Sequence, residues 1–127
     1  MRAWLGLCLM WIPLSAHALE TDSGTLTVTP VATGLSEPWG VAPLPDGSLL
    51  VTERDGALLR IVDGQASPVS GAPRVAAEGQ GGLLDITAAR DFAQSRTIFL
   101  TYSKSQGGGS GTALAAAELS ADGTRLE

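Results

Sequence analysis

Thiols and imidazoles are nearly missing from this chain: of 127 residues one is a cysteine, Cys8, and one a histidine, His17. Both lie before Leu19. If that first segment is removed, no thiol remains for a disulfide, no thiolate or imidazole for a zinc site, and no imidazole for a Ser-His or Cys-His nucleophile pair. Basic charge is scarce as well. Eight Lys and Arg stand against 13 Asp and Glu, with no basic cluster or stripe to neutralise phosphates, which argues against a nucleic-acid partner. The acids are scattered singly, as on a solvated surface. Helical periodicity is also absent: beyond the first segment almost no apolar run recurs at 3.6 residues.

What is present at the start is an export signal. Arg2 supplies a positive n-region, residues 3–14 are almost wholly apolar, and Ala16-His17-Ala18 has the small-x-small cleavage pattern, so residues 1–18 are expected to be a signal peptide and 19–127 the exported domain. The apolar core is shorter than the about 20 residues of a permanent span. The expected localisation is therefore periplasmic or secreted, with no membrane anchor after cleavage. Cys8 belongs to the discarded core. Loss of Arg2 leaves seven basic against 13 acidic residues, hence a formal net charge of −6. Without cysteines, stability in an oxidising compartment must come from packing and strand pairing.

The remainder reads as short strands between turn residues. Residues 26–31 alternate apolar with Thr. Residues 39–44 form an apolar run ended by Pro45-Asp46-Gly47, where proline presets φ, aspartate caps the turn and glycine accepts positive φ. Residues 48–52 follow, then Asp55-Gly56 as a two-residue hairpin turn, residues 57–62, and Asp63-Gly64 as the closing turn. The pattern then recurs. Residues 83–88 take the place of 39–44, Asp91 that of Asp46, 98–102 that of 49–52, and 112–119 that of 58–62. The spacing of about 45 residues is that of a four-stranded propeller blade. Residues 106–111, rich in Gly and Ser, read as a flexible spacer within one hairpin. The fold class is thus all-β, with about two blades present, and repeat architectures need roughly three or more units before a continuous core forms. The chain stops within an apparent hairpin at Asp122-Gly123. The expectation is an amino-terminal fragment of a longer protein, the alternative a two-blade unit completed by oligomerisation.

The densest candidate for ligand chemistry is Glu78-Gly79-Gln80-Gly81-Gly82-Leu83-Leu84-Asp85. Three glycines let a backbone turn tightly and leave N–H groups uncovered, while Gln80 carries both a donor and an acceptor suited to hydroxyl or carbonyl partners. A plain glycine-rich turn between strands has the same composition. Asp85, after two leucines on an interior strand, reads as a structural link rather than a site acid, since no second carboxylate lies near. Alternation along a strand prevents Glu53-Arg54-Asp55 from converging, so these read as an ion pair at a hairpin mouth. Trp39 reads as an anchor of blade packing rather than a sugar platform, and Tyr102 as core.

Several ordered motifs extend the reading. Gly34-Leu35-Ser36-Glu37-Pro38-Trp39-Gly40-Val41-Ala42, Leu44-Pro45-Asp46-Gly47-Ser48-Leu49-Leu50-Val51-Thr52-Glu53-Arg54, Gly79-Gln80-Gly81-Gly82-Leu83-Leu84-Asp85 and Ile98-Phe99-Leu100-Thr101-Tyr102-Ser103 together resemble the opening of the soluble, pyrroloquinoline-quinone (PQQ)-dependent aldose sugar dehydrogenases, the glucose/sorbosone dehydrogenase family. The resemblance implies a six-bladed β-propeller holding PQQ and calcium near its axis. It implies an aldose sugar oxidised at C1 to a lactone, an external electron acceptor, and a histidine as proton acceptor. It places Gln80 against sugar and cofactor. Residues 19–127 contain no histidine, so no catalytic residue is assigned here, most PQQ and calcium ligands are expected beyond Glu127, and the segment alone is expected to be inactive. A non-enzymatic propeller module that binds carbohydrate or protein is the alternative.

Overall fold

The structure, a computed structural model, describes residues 17–127. The leader read over residues 1–16 lies outside the described residues, and the expected cleavage point after Ala18 falls within the first strand. The described residues fall into two units, divided between Pro30 and Val31.

In the first unit, β1 (His17–Thr21) pairs antiparallel with β2 (Gly24–Val28), placing Leu19 opposite Leu26. The Thr21 hydroxyl donates to the Gly24 carbonyl at 2.7 Å and closes the turn. The strand expected over 26–31 begins earlier and ends at Val28, two residues before Pro30, which has no N–H to give to a ladder.

The second unit holds two antiparallel sheets. The first has the order β3 (Pro38–Pro43), β4 (Leu49–Glu53), β5 (Leu58–Val62), β6 (Gln65–Pro68); the second has the order β7 (Leu83–Ala88), β8 (Thr97–Gln106), β9 (Gly109–Glu118). Local chemistry accounts for the connections. Asp46 Oδ1 accepts from the Ser48 N–H at 3.0 Å and Gly47 takes φ +83°, as the Pro-Asp-Gly signal requires. Asp63 and Gly64 both have positive φ, the backbone of a two-residue mirror-image hairpin turn. The β4–β5 turn runs over Arg54, Asp55 and Gly56, one residue more than expected, with the Glu53 N–H donating to the Ala57 carbonyl at 2.8 Å.

The repeat read from the sequence is present in the register. Pairing slips between Pro38 and Val41 in β3 and between Leu83 and Ile86 in β7, at positions about 45 residues apart. Each is a β-bulge, one extra residue that turns the strand. At the place of the Pro-Asp-Gly turn the second sheet instead has a single helical turn, α1 (Phe92–Ser95), which buries Phe92 and ends on Arg96 at φ +51°. The glycine-rich run is not a loose spacer. It pairs residue by residue, Lys104 with Gly111, Ser105 with Ser110 and Gln106 with Gly109, so β8 and β9 form a ten-residue ribbon.

The core lies between the two sheets. Leu50 and Leu58 of the first meet Leu83, Ile98, Leu100 and Leu119 of the second, all fully buried, each contributing about 1.5–3 kcal/mol of burial. Gly40 and Ala42 keep the facing side of β3 low. A Cβ on Gly40 would stand 3.0 Å from Asp85 Cα and Ile86 N, so β7 can approach only because the side chain is absent. The Thr52 hydroxyl, wholly buried, accepts from the Gly40 N–H at 2.9 Å and donates to the Leu84 carbonyl, joining the sheets. At the outer edge the Ser70 N–H donates to the Thr124 carbonyl (3.0 Å) and the Leu126 N–H to the Ser70 carbonyl (2.8 Å). Leu119 pairs antiparallel with Leu126, so the return strand expected after Asp122-Gly123 has begun.

Candidate functional site

Gln80 sits on the connection between β6 and β7. Its neighbours fix the loop from several sides. The Gly81 N–H donates to the Glu78 carbonyl (2.8 Å), the Leu83 N–H to the Arg54 carbonyl (3.0 Å), and the Ser103 N–H to the Gly82 carbonyl (2.8 Å). The N–H groups of this loop are therefore not all left uncovered, as its composition suggested. Gly81 and Gly82 are conformational residues. A Cβ on Gly82 would come 2.0 Å from the Arg54 carbonyl oxygen, and one on Gly81 2.6 Å from that of Ala76.

Arg54 grips the loop with its side chain as well. Its Nη1 donates to the carbonyls of Gly79 and Gly81, each at 3.3 Å, while Nη2 donates to both carboxylate oxygens of Glu37 at 3.1 and 2.9 Å. The ion pair read at the hairpin mouth exists, but its acid is Glu37. The neighbours of Arg54 point elsewhere, as strand alternation demands. Glu53 is buried and accepts from the Ser36 N–H, and Asp55 accepts from the Ala57 N–H within its own turn.

Glu37, Pro38, Trp39, Arg54, Gly79 and Gln80 line one open cleft of 340 Å³. Gln80 is exposed there, and its amide has no hydrogen-bond partner among the described residues. Trp39, expected to anchor packing, is half-exposed. It stands on the face of β3 opposite Gly40 and also borders an apolar hollow of 310 Å³ with Val41, Leu49, Val51 and Ile61.

Asp85 corrects another expectation, because it is exposed rather than interior. The bulge sends Leu83 and Ile86 inward and turns Asp85 out, where its Oδ1 accepts from the Ile86 N–H at 2.9 Å. Tyr102 packs against the core as expected. Glu37 and Arg54 were not assigned to a site from the sequence. Both lie in the motifs quoted for the resemblance, and only the fold brings them to the Gln80 loop.

The chemistry of this cleft is polar and one-sided: a free amide, an indole, and a guanidinium committed to a carboxylate and two carbonyls. Such a wall fits one edge of a planar, polar ligand such as PQQ, or a sugar lying against it. It does not fit calcium, which takes six to eight oxygens. Among the described residues no group of three or more His, Cys, Asp and Glu side chains could hold a metal ion.

Residues 35–127 match the family model described as glucose/sorbosone dehydrogenase. The chain belongs to this family. It is 44% identical over 111 residues to the aldose sugar dehydrogenase YliI of Escherichia coli K12, an alignment covering 84% of this chain and 30% of that protein. The crystal structure of the soluble E. coli aldose sugar dehydrogenase in its apo form superposes with a TM-score of 0.69 at 46% identity, covering 72% of this chain and 28% of the other. The PQQ-bound aldose sugar dehydrogenase of Streptomyces coelicolor superposes with a TM-score of 0.71 at 27% identity, covering 90% and 33%. The chain thus spans under a third of the length of the YliI relative. The architecture is part of the β-propeller of the sugar dehydrogenases, and the two stacked sheets are two of its blades. Among the described residues no helix is long and apolar enough to cross a membrane.

Proposed function

We propose that this chain is the amino-terminal part of an exported, PQQ-dependent aldose dehydrogenase that oxidises a sugar at C1 to the lactone and passes electrons to an external acceptor. Family membership and the PQQ-bound S. coelicolor relative support the reading. When bound, PQQ supplies the hydride acceptor. The contribution of this segment is one wall of the site, where the Gln80 amide, exposed at the cleft lip with no partner among the described residues, meets a hydroxyl of the sugar or a carbonyl of the ligand. The proton acceptor and the calcium ligands are assigned to residues outside 17–127.

The observation that carries the proposal is the Gln80 amide held in an ordered loop with no hydrogen-bond partner among the described residues. The test is reconstitution of the complete polypeptide with PQQ and calcium, followed by dye reduction with aldoses. Sugar-dependent reduction is expected; its absence would favour a binding module. In the same protein Gln80→Ala is expected to lower kcat/KM about 10- to 100-fold, the loss of one polar contact, with an unchanged unfolding midpoint. Unaltered kinetics would remove Gln80 from the site.

A further inference from the structure

The geometry points to Arg54 as the positioning residue for Gln80, with Glu37 holding Arg54 in place. The inference rests on the reading of Gln80 as a ligand contact. The two carbonyls that Arg54 Nη1 grips belong to Gly79 and Gly81, the residues immediately before and after Gln80. The Arg54 backbone grips the same loop one step further on, its carbonyl accepting from the Leu83 N–H. Gly82 lies so close to that carbonyl that no side chain can stand between them. The loop is therefore pinned on both sides of the amide, and the amide itself is left over for a ligand.

The guanidinium suits this task because its planar fork presents donors in fixed directions. Nη2 alone takes both oxygens of the Glu37 carboxylate while Nη1 reaches both carbonyls; a lysine ammonium, a compact point charge, cannot hold all of these at once. Without Glu37 the long Arg54 side chain would regain its rotamer freedom. The pair is partly solvent-exposed, with side-chain exposures of 24% and 57%, and exposed pairs add little to global stability. Its effect should therefore be local, on the loop, with the fold left intact.

Hydrogen exchange of the Gly81 and Leu83 amides, which donate to the Glu78 and Arg54 carbonyls, compared in wild type, Arg54→Lys and Glu37→Gln of the complete polypeptide, tests the clamp directly. Acceleration by about tenfold, confined to the loop while Thr87 and Ala88 of β7 stay unchanged, is the expected result. No acceleration, or an even rise across β7 and β8, would overturn it. In the complete dehydrogenase, Arg54→Lys should reduce kcat/KM, and Arg54→Lys combined with Gln80→Ala should be no worse than Gln80→Ala alone within about twofold. Multiplying losses would show Arg54 acting other than through Gln80. Unaltered turnover of Gln80→Ala alone would sink the functional reading and with it the positioning role, and the exchange result would then show whether the clamp itself stands.

Discussion

Among the described residues the bulge of β3 is covered by β7, whereas the matching bulge of β7 belongs to the second of the two sheets and meets no third sheet here. The shared part of the device is an amide satisfied by a threonine of the neighbouring strand: Gly40 N–H to Thr52 at 2.9 Å in one sheet, Asp85 N–H to Thr101 at 3.0 Å in the other. Coverage separates them. Thr52 is wholly buried and also donates across to Leu84, while Thr101 is half-buried. Where β7 presses down, the bulge residue is Gly40; the matching residue of β7 is Asp85, whose own Cα and Oδ1 form part of what lies against Gly40. The same backbone pattern therefore tolerates different residues according to what lies above it, and glycine here marks a contact between sheets.

The sharpest way to break the comparison is Gly40→Ala against Asp85→Ala. The first forces a methyl to 3.0 Å from backbone atoms of β7 and is expected to cost about 1–3 kcal/mol. The second, on an exposed residue, should stay within about 0.5 kcal/mol. Denaturant midpoints of the two variants measure both, and equal losses would mean that the sheets do not differ in this way. Next come the threonines. Thr52→Val leaves the buried Gly40 N–H and Leu84 carbonyl without their partner, an expected loss of about 1–3 kcal/mol, and Thr101→Val should cost about 1 kcal/mol or less.

The smallest effect is acid sensitivity, and it should be common to two turns of like sequence. Asp46 and Asp122 occupy chemically alike turns, Asp-Gly-Ser between β3 and β4 and Asp-Gly-Thr beyond β9. The Ser48 hydroxyl, then the Ser48 N–H and Arg60, hold the Asp46 carboxyl below its usual range. The hydroxyls of Ser120 and Thr124 bring Asp122 from 3.8 down to about 2. Because the folded values are lowered, the stabilisation is present above the ordinary carboxylate range and is lost as pH falls through the folded values. Carboxyl titration by NMR should show both aspartates ionised where ordinary carboxylates have protonated, and Asp46→Asn with Asp122→Asn should flatten the acid limb of stability.

Much of the fold was legible because its signals are local. Pro45-Asp46-Gly47 and Asp63-Gly64 made the turns they specify, and the spacing of the repeat reappeared as two bulges. The bulge itself was not legible, and it is why Asp85 turned outward: an extra residue shifts the alternation on which an interior assignment depends. Trp39 lies on the other face of β3 from the core between the two sheets. Both faces of β3 carry apolar residues, so a half-buried strand looked continuous, with Trp39 and Val41 outside and Gly40 and Ala42 inside. The Gly/Ser ribbon formed because ladder hydrogen bonds need only backbone. Gln80 could be singled out from its motif. Its supports Arg54 and Glu37 could not, since the contacts that join them to the loop are distant in sequence.

The clasp at the outer edge sets a timetable for biosynthesis. Ser70 is bound by Thr124 and Leu126, so the edge of the first sheet cannot be sealed until the end of the second has been made. At roughly 5–20 residues per second, the roughly 55 intervening residues keep that edge waiting for several seconds on a ribosome, an interval in which the unsealed strand is still open to chaperones.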